Sequence, residues 1–134
     1  MVNSTFSFIF FIIFLFSLSS FPSSVFAKET AESLYNKARN DYYSLKGSKR
    51  KLAIKSNWTK NINKFLSFSR RFPGSSFADD ALFTVGMLYY DSFKQFGGTK
   101  DLKSSIQHYN MVVKKHSSSS LADDALFRTG DIYF

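Results

Sequence analysis

Nine residues of this chain occur twice, almost unchanged. Ser75-Ser76-Phe77-Ala78-Asp79-Asp80-Ala81-Leu82-Phe83 returns 44 positions later as Ser119-Ser120-Leu121-Ala122-Asp123-Asp124-Ala125-Leu126-Phe127. The register extends both ways without a gap. Ile62 maps to Ile106, Phe65 to Tyr109, Gly86 to Gly130 and Tyr89 to Tyr133, while Arg70-Arg71 maps to Lys114-Lys115 and Trp58 falls on Leu102. A unit of this size is one supersecondary element that cannot bury its apolar face alone. It does so by stacking on its neighbours, so the chain is expected to be an array of like units.

Each unit reads as two helices. Ser76-Phe77-Ala78-Asp79 and Ser120-Leu121-Ala122-Asp123 have the form of a capping box with Asp in the acidic place. The paired Asp residues lie where the positive end of a helix dipole favours them. Pro73-Gly74 stops the helix before the first block, and Ser117 to Ser120 does so before the second. The expected helix from Phe77 to Phe96 has a stripe of Ala81, Leu82, Val85, Leu88 and Tyr89, broadened by Phe83, Tyr90 and Phe93. So wide an apolar arc implies packing on two sides. Gly86 interrupts it at a cost of about 1 kcal/mol against Ala, which implies close approach of a neighbouring helix.

Gly97-Gly98-Thr99 ends that helix, and the next is expected from Lys100 to His116, with Leu102, Ile106, Tyr109 and Val113 inward. Its counterpart spans Leu52 to Phe72, with Ile54, Trp58, Ile62, Phe65 and Phe72 on the same face. An opening helix covers Glu29 to Leu45, with a stripe of Ala31, Leu34, Tyr35, Ala38, Tyr42 and Leu45. Lys46-Gly47-Ser48-Lys49-Arg50-Lys51 reads as a basic loop. The last helix presents Leu126, Phe127, Ile132, Tyr133 and Phe134 with no partner helix after it. Arrays close with an atypical unit that is polar outside. The sequence therefore reads as truncated at its C-terminal end; the competing reading is that this surface docks on another molecule.

Residues 1–27 carry no charged side chain. The run from Phe6 to Phe16 is an apolar core of signal-peptide length, followed by Ser19, Ser20, Pro22, Ser23 and Ser24 and by a small-residue site, Val25-Phe26-Ala27. The expectation is a signal peptide cut after Ala27 and a helical domain over 28–134; an uncleaved membrane anchor is the competing reading. The membrane is then met only through the signal segment. The net charge of +8 all sits on 28–134, which suits anionic surfaces such as lipid headgroups or acidic wall polymers. Export argues against nucleic acid as partner. The chain has no cysteine, hence no disulfide framework and no lipoprotein anchor.

Leu82, Gly86 and Tyr89 match the spacing of a tetratricopeptide first helix. Ser105, Tyr109, Val112 and Ser117 fall where its second helix and exit carry alanine, an aromatic, alanine and proline. The period of 44 exceeds the usual ~34, and the proline is missing. The expected fold is all-α: antiparallel helix pairs of tetratricopeptide-like repeats in an α-α superhelix, about five helices after the signal peptide. The longer order of motifs is narrower. Tyr42 and Leu45, a basic loop, Ser56-Asn57-Trp58, Arg71-Phe72-Pro73-Gly74-Ser75, Ala78 to Leu82, Leu88-Tyr89-Tyr90-Asp91, Asp101-Leu102, Leu121 to Leu126, then Gly130-Asp131-Ile132-Tyr133 resembles the N-terminal repeat region of exported bacterial N-acetylmuramoyl-L-alanine amidases. The resemblance implies a peptidoglycan hydrolase whose zinc ligands lie on a separate C-terminal domain, so no catalytic residue or cofactor is expected in this chain. The same Phe-Pro-Gly-Ser and Ala-Asp-Asp-Ala-Leu blocks also occur in outer-membrane assembly lipoproteins and cell-division coordinators. These supply the alternative of a stand-alone periplasmic scaffold.

The residues themselves offer little chemistry. His108 and His116 are eight apart on one helix, whereas a helical zinc pair wants a spacing of four and further ligands. Asp79-Asp80 and Asp123-Asp124 open helices and read as caps rather than catalytic acids. Gly97-Gly98 is a turn, too short to cradle a phosphate. The basic loop is either a solvated linker or a contact for anionic wall polymer. The candidate interaction surface is Tyr89, Tyr90 and Phe93, either lining a concave face or packed in the core, together with Leu126 and Phe127. The expected partner is a protein or the chain's own missing domain.

Overall fold

A computed structural model describes residues 29–133. The expected signal segment, with its cleavage after Ala27, and Phe134 lie outside the described residues. Among these the chain is all-helical, with six helices: α1 (Ala31–Lys46), α2 (Lys49–Leu52), α3 (Lys55–Arg71), α4 (Ala78–Phe96), α5 (Thr99–Lys115) and α6 (Leu121–Tyr133). None is long and apolar enough to cross a membrane. The packed pairs follow chain order: α1 on α3, α3 on α4, α4 on α5, α5 on α6. In the 44-residue register α4 lies over α6 and α3 over α5, so both copies of the repeat place helices alike.

Helix α2 corrects the expectation of a plain basic loop. Ser48 opens it, its hydroxyl accepting from the Lys51 amide at 3.3 Å. It is then pinned from below. The Trp58 indole donates to the Leu52 carbonyl at 2.8 Å, and the Asn57 amide to the Lys51 carbonyl at 3.1 Å. Lys46 lies over the Trp58 ring and bonds Asp91 at 2.7 Å, so this part of the basic segment is tied inward.

One cluster fills the space between α1, α3 and α4: Tyr35, Ala38 and Leu45, then Trp58, Ile62, Phe65 and Phe68, then Ala81, Val85 and Leu88. Ile54, expected on this face, is 48% exposed, because α3 starts one residue after it. Phe68 takes the interior place instead. A second cluster joins α4, α5 and α6 through Leu82, Phe83, Tyr109, Val112 and Ala125. Helix α4 serves both, which is why every residue from Ala81 to Gly86 is buried. At its end, Gly97 and Gly98 adopt φ of 73° and 100°, a backbone that turns the chain straight into α5 without Cβ strain.

The helix starts also differ in detail from the expected capping box. The hydroxyl of Ser75, not Ser76, accepts from the amide of Phe77 at 3.2 Å. Ser119, not Ser120, does the same for Leu121 at 3.1 Å. The first serine of each pair closes a tight turn ahead of the helix, and the second is exposed.

Candidate interaction surface

The expected close approach at Gly86 is present. A Cβ built there would lie 2.7 Å from the Tyr109 ring, closer than real Cβ contacts come. Ser105, fully buried one turn earlier on α5, donates its hydroxyl to the Gly86 carbonyl at 2.8 Å. Gly86, Ser105 and Tyr109 thus form a junction in which two small residues let an aromatic side chain lie on a helix backbone. Burial pushes the Tyr109 phenol up to about 12, partly offset by the positive charge of Arg128.

This junction rotates α5 relative to the stripe expected from sequence. The residues it buries are Ser105, His108, Tyr109 and Val112, while Leu102, Ile106 and Val113 are only half-buried at its flanks. His108 is therefore an interior residue. It stacks on Tyr89, centroids 5.5 Å apart, and its Nδ1 lies 2.7 Å from the Ser104 carbonyl. Burial holds its pKa below the ordinary imidazole value, against the opposing pull of that carbonyl. His116 stands at the C-cap of α5. Among the described residues no group of three or more His, Cys, Asp or Glu is placed to hold a metal ion.

The expected surface residues divide into two sets. Tyr89 is half-buried against His108, so it packs between α4 and α5. Tyr90 and Phe93 are half-exposed neighbours, centroids 6.5 Å apart, with Lys94 over the Tyr90 ring at 4.7 Å. Leu126 and Phe127 stand on α6, 53% and 65% exposed. Their counterparts on α4, Leu82 and Phe83, are 4% and 8% exposed. Tyr133 continues the set at 69%, and Gly130 between them has nothing within 4 Å of where a Cβ would stand. The α6 face therefore repeats, residue for residue, the face that α5 covers on α4.

Two residues that the sequence left unmarked as functional complete this picture. Ser105 sets the approach distance at Gly86, and Gly130 holds the equivalent position open. The 44-residue register was the signal for Gly130. Ser105 was legible only as the small residue of a second helix.

No family model, curated protein or solved structure matches this chain.

Proposed function

We propose that the chain is an exported tetratricopeptide-like module that positions a cell-wall N-acetylmuramoyl-L-alanine amidase. Its work is binding, with hydrolysis carried by a domain beyond this sequence. The observation that supports binding is the α6 face: Leu126, Phe127 and Tyr133 are exposed around an open Gly130, while the same residues on α4 are enclosed. Apolar residues grouped in this way mark an interaction site. The amidase link rests on the order of motifs from Tyr42 to Tyr133, and export rests on the apolar segment before Ala27 and its small-residue site.

Reading the gene past the codon for Phe134 tests the amidase link. An in-frame zinc-hydrolase domain is expected, and a stop codon directly after it would sink the link. Export is tested separately by N-terminal sequencing of the protein recovered from its host, where Lys28 is expected as the first residue.

A further inference from the structure

The 44-residue register sets Tyr42 of α1 where Gly86 stands on α4, and Asn61 of α3 where Ser105 stands on α5. The exchange alters how the two helices meet. Tyr42 has a Cβ and a ring, so α1 offers no bare backbone for α3 to lie on, and this pair is less closely packed than α4 and α5. Asn61 does not bond across to its partner helix as Ser105 does. Its amide nitrogen donates to the Asn57 carbonyl of its own helix at 3.0 Å. That bond fixes the orientation of the amide, because only the nitrogen can donate. The amide oxygen is left buried, and among the described residues no donor reaches it. A buried acceptor is costly to leave unpaired.

Asn61 lines a cleft of about 160 Å³ between α1, α2 and α3. It forms the floor together with Leu45, the other buried residue there. Lys51, Lys60 and Lys64 stand on the walls against one acid, Asp41. Asp41 pairs with Lys64, and Lys51 bonds the Ser44 hydroxyl. Among the described residues Lys60 has no ion-pair partner. The Asn57 amide that holds the Lys51 carbonyl at 3.1 Å also fixes Lys51 at the rim. Helix α2 carries three cations and α3 five, with no acid on either, so the potential in the cleft is positive.

We propose that this cleft binds a small phosphate monoester bearing a free hydroxyl, of the size of glycerol phosphate. The phosphate, close to a dianion at pH 7, lies between Lys51 and Lys60. The hydroxyl donates to the Asn61 amide oxygen, and the carbon chain rests on Leu45. A cavity of about 150 Å³ takes a molecule the size of benzene, and this cleft is open on one side, so three carbons and a phosphate fit. A recess with a polar group on its floor suits a free molecule, whereas a lipid headgroup needs only an open basic face. No residue of α6 takes part, and the site does not depend on the amidase link.

The probe is sn-glycerol 3-phosphate, titrated into the full chain by calorimetry. One molecule per chain is expected, with half-saturation below about 1 mM. Asn61→Leu keeps the size of the side chain and removes the stranded acceptor, so the melting temperature should be unchanged or higher while binding weakens about tenfold. Lys60 is exposed, so Lys60→Gln should leave the fold intact and weaken binding about fivefold. Ethyl phosphate, which lacks the hydroxyl, should bind the unsubstituted chain more weakly than glycerol phosphate does, and should not distinguish it from Asn61→Leu. Absence of binding at about 1 mM would overturn the proposal. So would equal binding of glycerol phosphate by Asn61→Leu, which reduces the site to surface lysines. Retention on vesicles of phosphatidylcholine and phosphatidic acid in equal parts, without binding of glycerol phosphate, would overturn it too and give the lysines to a membrane surface.

Discussion

Helices α4 and α6 share a sequence pattern and differ in company. On α4, Leu82, Phe83 and Gly86 lie between neighbours on two sides; on α6, Leu126, Phe127 and Gly130 face outward. The contrast separates what a residue contributes by its own chemistry from what its surroundings add. The same side chain in the same helix is core in one place and surface in the other.

Paired substitutions measure that difference directly. The largest gap is expected between Phe83→Ala and Phe127→Ala. Truncating a buried Phe costs about 3–5 kcal/mol, while an exposed one changes stability by about 0.5 kcal/mol or less. Chemical denaturation of the two variants checks this, and similar losses would break the comparison. Next comes a pair of opposite sign. Gly86→Ala drives a methyl group into the Tyr109 ring, and overpacking of this kind costs about 1–3 kcal/mol, more than the helix propensity it gains. Gly130→Ala meets nothing and should gain up to about 1 kcal/mol. Thermal melts should therefore move in opposite directions.

A smaller gap is expected at the turns. Ser119 accepts from the Leu121 amide and also donates to the Asp79 carboxylate at 2.5 Å, whereas Ser75 makes only the local bond to Phe77. A bond to a charged group is worth about 1.5–3 kcal/mol and a neutral one about 0.5–1.5 kcal/mol. Partial exposure moves the first toward its lower limit. Ser119→Ala should thus cost more than Ser75→Ala in urea unfolding. The smallest effect is pH dependence at His108. Burial lowers its folded pKa, so the unfolded state takes up the proton first. Its contribution to stability is present above the unfolded value of about 6.5 and is lost as pH falls through that value toward the lowered one. Unfolding midpoints between pH 8 and 5.5 should fall less in His108→Gln than in the unsubstituted chain.

The helices and the glycine contact were legible because they depend on local signals. Proline and glycine stops, apolar periodicity and the repeated block placed α4 within one residue at its start, and a glycine kept twice in mid-helix pointed to close packing. What could not be read depends on how helices rotate against each other. A stripe of Leu102, Ile106 and Val113 looks like the buried face of α5 by apolarity alone. The interior instead receives Ser105 and His108, since a small residue opposite a glycine allows the closest approach. Likewise α2 exists because Trp58 and Asn57 hold the Lys51 and Leu52 carbonyls, a tertiary reason that its Lys-Arg-Lys sequence does not advertise. For the candidate surface, Leu126 and Phe127 could be named from sequence, but Tyr89 could not be sorted from Tyr90 until its His108 neighbour was seen.

The Ser119–Asp79 bond has a further consequence. One repeat earlier, the position of Asp79 is held by Tyr35, whose ring stacks on Phe77, centroids 4.5 Å apart. The two successive joints are thus made of different materials, one of stacked rings and one of a hydroxyl bonded to a carboxylate. An apolar joint loosens on cooling and in urea, while the other depends on a single donor hydroxyl, that of Ser119. A change at position 119 therefore reaches the second joint and leaves the stacked rings of the first as they were.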